Sequence, residues 1–282
     1  VYRKLEQVGK PLVAAINGVC LGGALELALA CHGRIVAEGD KVKLGLPEVR
    51  VGLMPGAGGT QRIGRLAPPQ EALQMLLKGE QLSPARAKAL NLVDAVVPAA
   101  DLLDAAKRWL KETPRRIQPW DEDGFRLPGG KVYSPAGYNL FPAANALYRK
   151  ETYDNYPGIR ATLTAFVEGL QVPFDTGLRI EARQFAHVLQ TKEAAAMIRS
   201  LFLSTQALNK GARRPASVAA APIARIGVIG AGFIGAGIAE VSARAGIAVT
   251  LIDRDDASAL KGRAVVEAAY AKEVSRGRMK VT

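Results

Sequence analysis

The chain has 282 residues, of which 49% are hydrophobic and 23% charged, a globular composition long enough for one large or two ordinary domains. It contains no apolar run that could span a bilayer and no signal-peptide pattern. The net charge is +12, but basic and acidic residues are interspersed, which favours a polyphosphate-bearing small ligand, or a role in solubility alone, over nucleic acid. The two cysteines, Cys20 and Cys31, lie in apolar segments, which indicates buried thiols and a cytoplasmic location.

Residues 1–112 alternate short apolar runs with helical patterns, which predicts an α/β fold. Strands are predicted at 11–16, 33–37 and 93–97, with extended chain over 44–51. Helices are predicted at 24–31, 61–66, 69–78, 83–90 and 101–112. A glycine-rich turn, Pro55-Gly-Ala-Gly-Gly59, precedes the second of these helices.

Residues 113–224 predict a connecting region that is partly irregular and partly helical. The stretch 114–158 is rich in proline, glycine and aromatic residues, which is typical of a long irregular connection packed by its own rings. Helical patterns follow at 158–171, 174–190 and 192–209. The small, basic, proline-containing segment 210–222 is predicted to be a linker.

The segment from Arg225 onward predicts the first β-α-β-α of a Rossmann fold. A buried-strand pattern runs into Gly230-Ala-Gly232-Phe-Ile-Gly235, the spacing G-x-G-x-x-G, and a helix and a second strand follow. Gly230 permits a tight turn, Gly232 lets the backbone approach a pyrophosphate, and Gly235 lets the helix pack closely on the strand.

The cofactor predicted for this segment is NAD. Asp253 closes the second strand, where its carboxylate can accept both ribose hydroxyls of the adenosine and repel a 2′-phosphate. Ile234, inside the glycine motif, is a further predicted cofactor contact. Arg254, next to the carboxylate, leaves NADP open.

Glu26 is the one polar side chain in an apolar helix that the pattern predicts to be buried. Burial of a carboxylate is costly unless it is paired or protonated, and such groups cluster at functional sites, so we prefer a catalytic glutamate to a solvated one. Gly23, at the start of the helix, has a free N–H on the same face, which could bind an oxyanion while Glu26 moves a proton.

A second carboxylate, Glu48, precedes the glycine-rich turn. Alone, Glu48 would be interpreted as an exposed glutamate at a strand end, but the turn allows the backbone to approach a ligand closely. Two neighbouring carboxylates whose pKa values are split by repulsion can act as acid and base.

These motifs resemble the enoyl-CoA hydratase (crotonase) family. The resemblance is carried by Lys10-Pro-Leu-Val-Ala-Ala-Ile-Asn-Gly18, Gly22-Gly-Ala-Leu-Glu26, Gly45-Leu-Pro-Glu48 and Pro55-Gly-Ala-Gly-Gly-Thr-Gln-Arg62. It implies that Glu26 and Glu48 are the catalytic glutamates, that Gly23 is an oxyanion donor, and that Gly56 lies near the attacking water. Ala24 stands where many members carry a third glycine. Related enzymes also isomerise 3-enoyl to 2-enoyl thioesters in the same pocket.

The order of the segments resembles the multifunctional enzymes of fatty-acid β-oxidation. It implies a crotonase-like domain at 1–112 that lacks its N-terminal part, an irregular and helical linker region at 113–224, and the NAD-binding domain of a 3-hydroxyacyl-CoA dehydrogenase at 225–282 that lacks its C-terminal part. The implied partners are acyl-CoA substrates, a thiolase subunit and further copies of the chain. No metal is implied, and the dehydrogenase catalytic residues are expected beyond Thr282. A non-catalytic piece that binds acyl-CoA or NAD remains the alternative.

Overall fold

The computed structural model describes residues 2–112 and 116–277, and it divides the chain into two compact units, Val1–Ala212 and Arg213–Thr282. The strands are β1 (Val13–Ile16), β2 (Val19–Leu21), β3 (Gly33–Ala37), β4 (Lys43–Gly45), β5 (Gln81–Leu82), β6 (Ala95–Val97), β7 (Arg225–Ile229) and β8 (Ala248–Ile252). The helices are α1 (Tyr2–Glu6), α2 (Gly23–Ala30), α3 (Gly59–Leu66), α4 (Pro69–Lys78), α5 (Pro84–Ala89), α6 (Leu102–Glu112), α7 (Pro135–Thr152), α8 (Pro157–Gly169), α9 (Phe174–Leu189), α10 (Lys192–Met197), α11 (Thr205–Asn209), α12 (Phe233–Arg244) and α13 (Asp256–Ser275).

Two small sheets organise the first unit. Parallel pairing gives the order β1-β3-β6, and all five residues of β3 are buried, as expected for a parallel strand in the middle of a covered sheet. In the other sheet β2 pairs parallel to β4, and β4 pairs antiparallel to β5. The core lies between these sheets and the surrounding helices, and its fully buried members include Leu25, Leu44 and Phe166. The predicted α/β class is confirmed.

The prediction of extended chain over 44–51 is wrong beyond the end of β4. Pro47–Val51 forms a 3-10 helix that carries Glu48. Proline at its first position has the backbone angle that a helix start needs. Gly52 ends the helix in the left-handed region, at a φ of +81°, and its N–H donates to the carbonyl of Val49. Glu48 therefore lies on a helical turn rather than at a strand end.

The prediction of an irregular connection over 114–158 is also wrong, because most of its second half is α7. The Ser134 side chain caps the helix by accepting from the N–H of Gly137, and Pro135 follows it. The aromatic residues and the internal Pro142 disguise this helical pattern. Tyr148 is buried against the core of the first unit.

The contacts place the helices of the predicted linker region within the first compact unit. Helix α8 packs against α3, α4 and α9, so the unit extends to Ala212. The predicted domain boundary lies between residues 112 and 113. Residues 113–115 lie outside the described part of the chain. Val1 and Thr282, the ends at which the sequence predicts truncated domains, also lie outside it. The structure contains no helix or strand over 210–222, the segment predicted to be a linker.

The second unit is a two-stranded parallel sheet, β7 and β8, packed against α12 and α13. The prediction that β7 is a buried strand is wrong for four of its five residues. Val228 is buried, whereas Ile229 is 88% exposed, because the described helices cover one face of the sheet. No helix in the described residues is both long and apolar enough to cross a membrane.

Candidate functional site

The first carboxylate of the site is Glu26, which α2 carries into the core. Gly22 turns the chain into this helix with a φ of +59°, a conformation that favours glycine. The Glu26 side chain is buried, and its Oε1 accepts hydrogen bonds of 2.8 Å from the N–H groups of Ala57 and Gly59. Burial raises the pKa of Glu26, and these two hydrogen bonds oppose the rise.

The second carboxylate, Glu48, lies against the start of the same helix. Its Oε1 is 3.3 Å from the point where a side chain on Gly22 would begin. Its Oε2 is buried and has no hydrogen-bond partner among the described residues. Burial raises the pKa of Glu48 to about 7, a backbone hydrogen bond opposes the rise, and the charges of Glu26 and Glu181 add to it. At neutral pH this carboxyl can either give or take a proton.

The two glycines predicted for the site lie close to these carboxylates. Gly23 is the first residue of α2, where a backbone N–H has no acceptor inside the helix. Gly56 lies in the turn before α3, where a methyl group would collide with the Phe185 ring at 2.5 Å. A cavity of about 490 Å³ opens beside the turn. It is lined by Tyr2, Arg3, Gly56, Ala57, Gly58, Arg62, Leu178 and Glu181.

Sequence reasoning missed a third carboxylate, Glu181 of α9. It is 1% exposed and accepts hydrogen bonds from the N–H groups of Gly58 and Thr60 and from the Thr60 hydroxyl. Burial and the charge of Glu26 raise its pKa to about 7. The signal that could have found it is its position on the buried stripe of α9, which also includes Phe174 and Gly177.

Arg62 holds the other side of the turn. It is fully buried, its Nε donates to Glu6 at 2.7 Å, and its Nη1 donates to the carbonyl of Ala57 at 2.7 Å. The guanidinium also lies over the ring of Phe174, 5.5 Å from its centre. The turn is thus fixed through its carbonyl groups as well as its N–H groups.

The glycine motif of the second unit forms a tight turn between β7 and α12. Gly230 has a φ of +98°, and Gly232 caps the N-terminus of α12. A methyl group on Gly235 would lie 1.7 Å from the carbonyl oxygen of Gly230, so only glycine fits there. The turn therefore presents the free N–H groups at the start of α12, which suit a pyrophosphate.

The carboxylate of Asp253 lies beside this turn. Its carboxylate accepts hydrogen bonds from the N–H of Ala231 at 2.6 Å and from that of Arg254 at 2.7 Å, and these bonds lower its pKa. The ionised carboxylate keeps lone pairs for ribose hydroxyls, so the donor and acceptor set fits a dinucleotide. Ile234 is 74% exposed on α12. The described residues contain no group of acidic, histidine or cysteine side chains that could hold a metal ion.

The chain matches two protein families, one in each unit. Residues 1–119 match the family "Enoyl-CoA hydratase/isomerase", and residues 225–282 match "3-hydroxyacyl-CoA dehydrogenase, NAD binding domain". The chain therefore carries an enoyl-CoA hydratase/isomerase segment followed by an NAD-binding segment of the 3-hydroxyacyl-CoA dehydrogenase type, which confirms the predicted order.

The curated relatives of the chain include subunits of a fatty acid oxidation complex. The chain is 41% identical over 246 residues to fatty acid oxidation complex subunit alpha of Vibrio cholerae, which covers 86% of the chain and 34% of the relative. It is 39% identical over 255 residues to the protein of the same name from Vibrio parahaemolyticus, covering 90% of the chain and 35% of the relative. The chain thus spans about a third of the length of these relatives.

Solved structures of similar proteins include an enoyl-CoA hydratase from Mycobacterium avium subsp. paratuberculosis, with 22% identity and a TM-score of 0.47 over 71% of this chain and 66% of that one. A carnitinyl-CoA dehydratase from Mycobacterium avium has 29% identity and a TM-score of 0.43 over 68% of this chain and 61% of that one.

Proposed function

We propose that the first unit adds water to the double bond of 2-enoyl-CoA thioesters and forms 3-hydroxyacyl-CoA. The observation that carries this proposal is the pair of carboxylates beside the start of α2, the buried Glu26 and the half-buried Glu48, with one buried Glu48 oxygen unpartnered. A buried oxygen that lacks a partner suits a water molecule or a reacting group. The match of residues 1–119 to the hydratase/isomerase family supports the same reaction.

The reaction needs two proton transfers and one stabilised charge. The oxygen of water adds to C3 of the thioester, one carboxylate takes the released proton, and the other carboxyl delivers a proton to C2. Glu26 and Glu48 share these tasks, and Gly56 lies near the water. The negative charge that develops on the thioester oxygen is stabilised by the N–H of Gly23 at the start of α2. The same groups could move a proton between carbons and isomerise an enoyl thioester.

We propose that the second unit contributes an NAD site for oxidation of the 3-hydroxyacyl product. Gly230, Gly232, Ile234 and Gly235 would hold the pyrophosphate end, and Asp253 would accept the ribose hydroxyls. NAD, when bound, supplies the hydride acceptor. The match of residues 225–282 to an NAD-binding family supports this assignment, and the lone pairs of Asp253 favour NAD over NADP.

The assembly and the setting are further proposals. The relatives are named as the alpha subunit of a complex, which supports a second subunit, and we propose a thiolase that consumes the 3-oxoacyl product. We also propose an oligomer in the cytoplasm. Acyl-CoA substrates follow from the hydratase/isomerase match.

The test is the replacement of each glutamate by the amide of similar shape. In the natural protein that contains this chain, Glu26→Gln and Glu48→Gln should each lower kcat for hydration of a 2-enoyl-CoA by about 10²–10⁴, the usual contribution of one acid or base. NAD reduction with a 3-hydroxyacyl-CoA should be spared, because that chemistry uses the second unit.

The control is Glu38→Gln, an exposed glutamate in the same unit, which should leave hydration unchanged. Full hydratase activity in both the Glu26 and the Glu48 variant would exclude them as the acid–base pair.

A further inference from the structure

Glu181 is one of two carboxylates that accept hydrogen bonds from the backbone at the start of α3. Four consecutive backbone N–H groups lead into this helix, and they alternate between two carboxylates as hydrogen-bond acceptors. Glu26 takes the first and third, and Glu181 takes the second and fourth. In chain order the four donors are Ala57, Gly58, Gly59 and Thr60.

Resting on the proposed hydratase function, we propose that Glu181 is a positioning residue for the acid–base pair: it fixes the turn that orients Glu26, and it adds a third carboxyl group to the same cluster. Its oxygens lie 2.5 Å from the Gly58 nitrogen and 2.9 Å from the Thr60 nitrogen. The Thr60 hydroxyl adds a third donor. A carboxylate with three donors is held in one orientation, and the turn is held with it.

The packing of α9 brings Glu181 close to α3. A methyl group on Gly177, one turn earlier, would lie 2.5 Å from the Gln61 side-chain oxygen, so α9 approaches α3 closely there. Glu181 is 1% exposed, yet it lines the cavity beside Gly56. It belongs to the site through the turn, although it lies outside residues 1–119, which match the hydratase/isomerase family.

The charged groups around this carboxylate come from several elements. Glu26 faces it from α2, Glu48 from the 3-10 helix, Arg62 from α3 and Arg3 from α1. Arg3 and Arg62 are engaged with acidic partners, including Glu6. The charge of Glu181 therefore adds to the repulsion that raises the pKa of Glu48.

The first experiment reads the hydrogen bonds directly, in the 282-residue chain. Amide hydrogen exchange is measured by NMR for wild type and Glu181→Gln, whose amide offers the turn a single acceptor and no charge. Exchange at Gly58 and Thr60 should rise about tenfold or more, and exchange at Ala57 should rise less, because Glu26 still holds it.

The second experiment reads the electrostatic coupling. The side-chain carboxyl of Glu48, labelled with ¹³C, is titrated in both proteins. Its midpoint should fall in Glu181→Gln, because one repelling charge is gone. In the natural protein that contains this chain, the limb of the pH–rate profile that Glu48 controls should move to lower pH, and kcat should fall more than KM changes.

Two further variants make these readouts specific. Glu181→Asp keeps the charge but withdraws the carboxylate from the turn, so exchange should rise while the Glu48 midpoint stays closer to wild type. This variant decides the question if the Gln variant does not fold. Glu168→Gln removes a half-exposed glutamate of α8, paired with Arg183 at 3.7 Å, and should change none of the readouts.

Exchange and titration need no turnover, so they separate this proposal from the proposed function. If the wild-type protein did not hydrate 2-enoyl-CoA, the hydratase assignment would be contradicted. Amide exchange and the Glu48 titration would still decide the role of Glu181. Unchanged exchange at Gly58 and Thr60 in both Glu181 variants, or an unchanged Glu48 midpoint in Glu181→Gln, would overturn the proposal.

Discussion

At the residue scale, Glu48 should make the first unit less stable as the pH rises. The pKa of Glu48 is about 7 in the folded protein and 4.5 for an ordinary glutamate. The folded state therefore binds more protons than the unfolded state between these two values. The free energy of unfolding should fall as the pH rises through this window and should level off above it.

The measurement compares wild type with Glu48→Gln, in which the amide stands in for the protonated acid and does not titrate. Urea unfolding is followed by the fluorescence of Trp109 and Trp120, the two tryptophans of the chain, which both lie in the first unit. Relative to wild type, the variant should be more stable at pH 8 than at pH 5. A difference in unfolding free energy that does not depend on pH would refute the raised pKa.

The residue scale also shows how far sequence reasoning reaches. Glu26 could be predicted because one carboxylate in an apolar helix is an anomaly that the local pattern reveals. Glu181 could not be predicted in the same way, because its nearest partners are distant in sequence. Gly58 and Glu181 are 123 residues apart, and the buried stripe of α9 indicates only that Glu181 faces inward, not which groups it meets there.

At the element scale, α3 illustrates the same limit. The glycine-rich turn before it could be predicted from Pro55–Gly59, although the helix begins at Gly59, two residues before its predicted start at 61. The acceptors that hold the turn belong to α2 and α9, and only tertiary packing brings them there. Helix α7 was hidden because its aromatic residues and Pro142 are also typical of irregular chain.

In the second unit, Gly262 of α13 provides a test of helix packing. A methyl group there would lie 2.4 Å from the carbonyl oxygen of Ala231, within the glycine turn. Gly262→Ala should therefore displace α13 and increase amide exchange along β7 and β8, although alanine usually stabilises a helix by about 1 kcal/mol relative to glycine.

The matched control is Gly237→Ala, in the middle of α12, where an added methyl group meets nothing within 4 Å. This change should stabilise the second unit by up to about 1 kcal/mol and slow the same amide exchange. Equal effects of the two substitutions would show that Gly262 does not pack against the turn.

At the scale of the whole molecule, the sequence predicts the order of segments better than their extent. The motifs around Glu26 and Gly230 are local, so each could be assigned from adjacent residues, and the family matches agree with both. The extent of the first unit depends on contacts between α8 and helices far earlier in the chain, which composition does not report. Burial of β7 likewise depends on which elements cover its two faces.

The account depends most on the claim that Glu26 and Glu48 act together in one step. The decisive measurement is kcat/KM for hydration of a 2-enoyl-CoA by the natural protein that contains this chain, with Glu26→Gln, Glu48→Gln and the double variant compared. Groups that act as a unit are strongly non-additive, so the double variant should lose about as much as the worse single variant. A double loss equal to the product of the two single losses would show that the carboxylates act independently and would contradict the account.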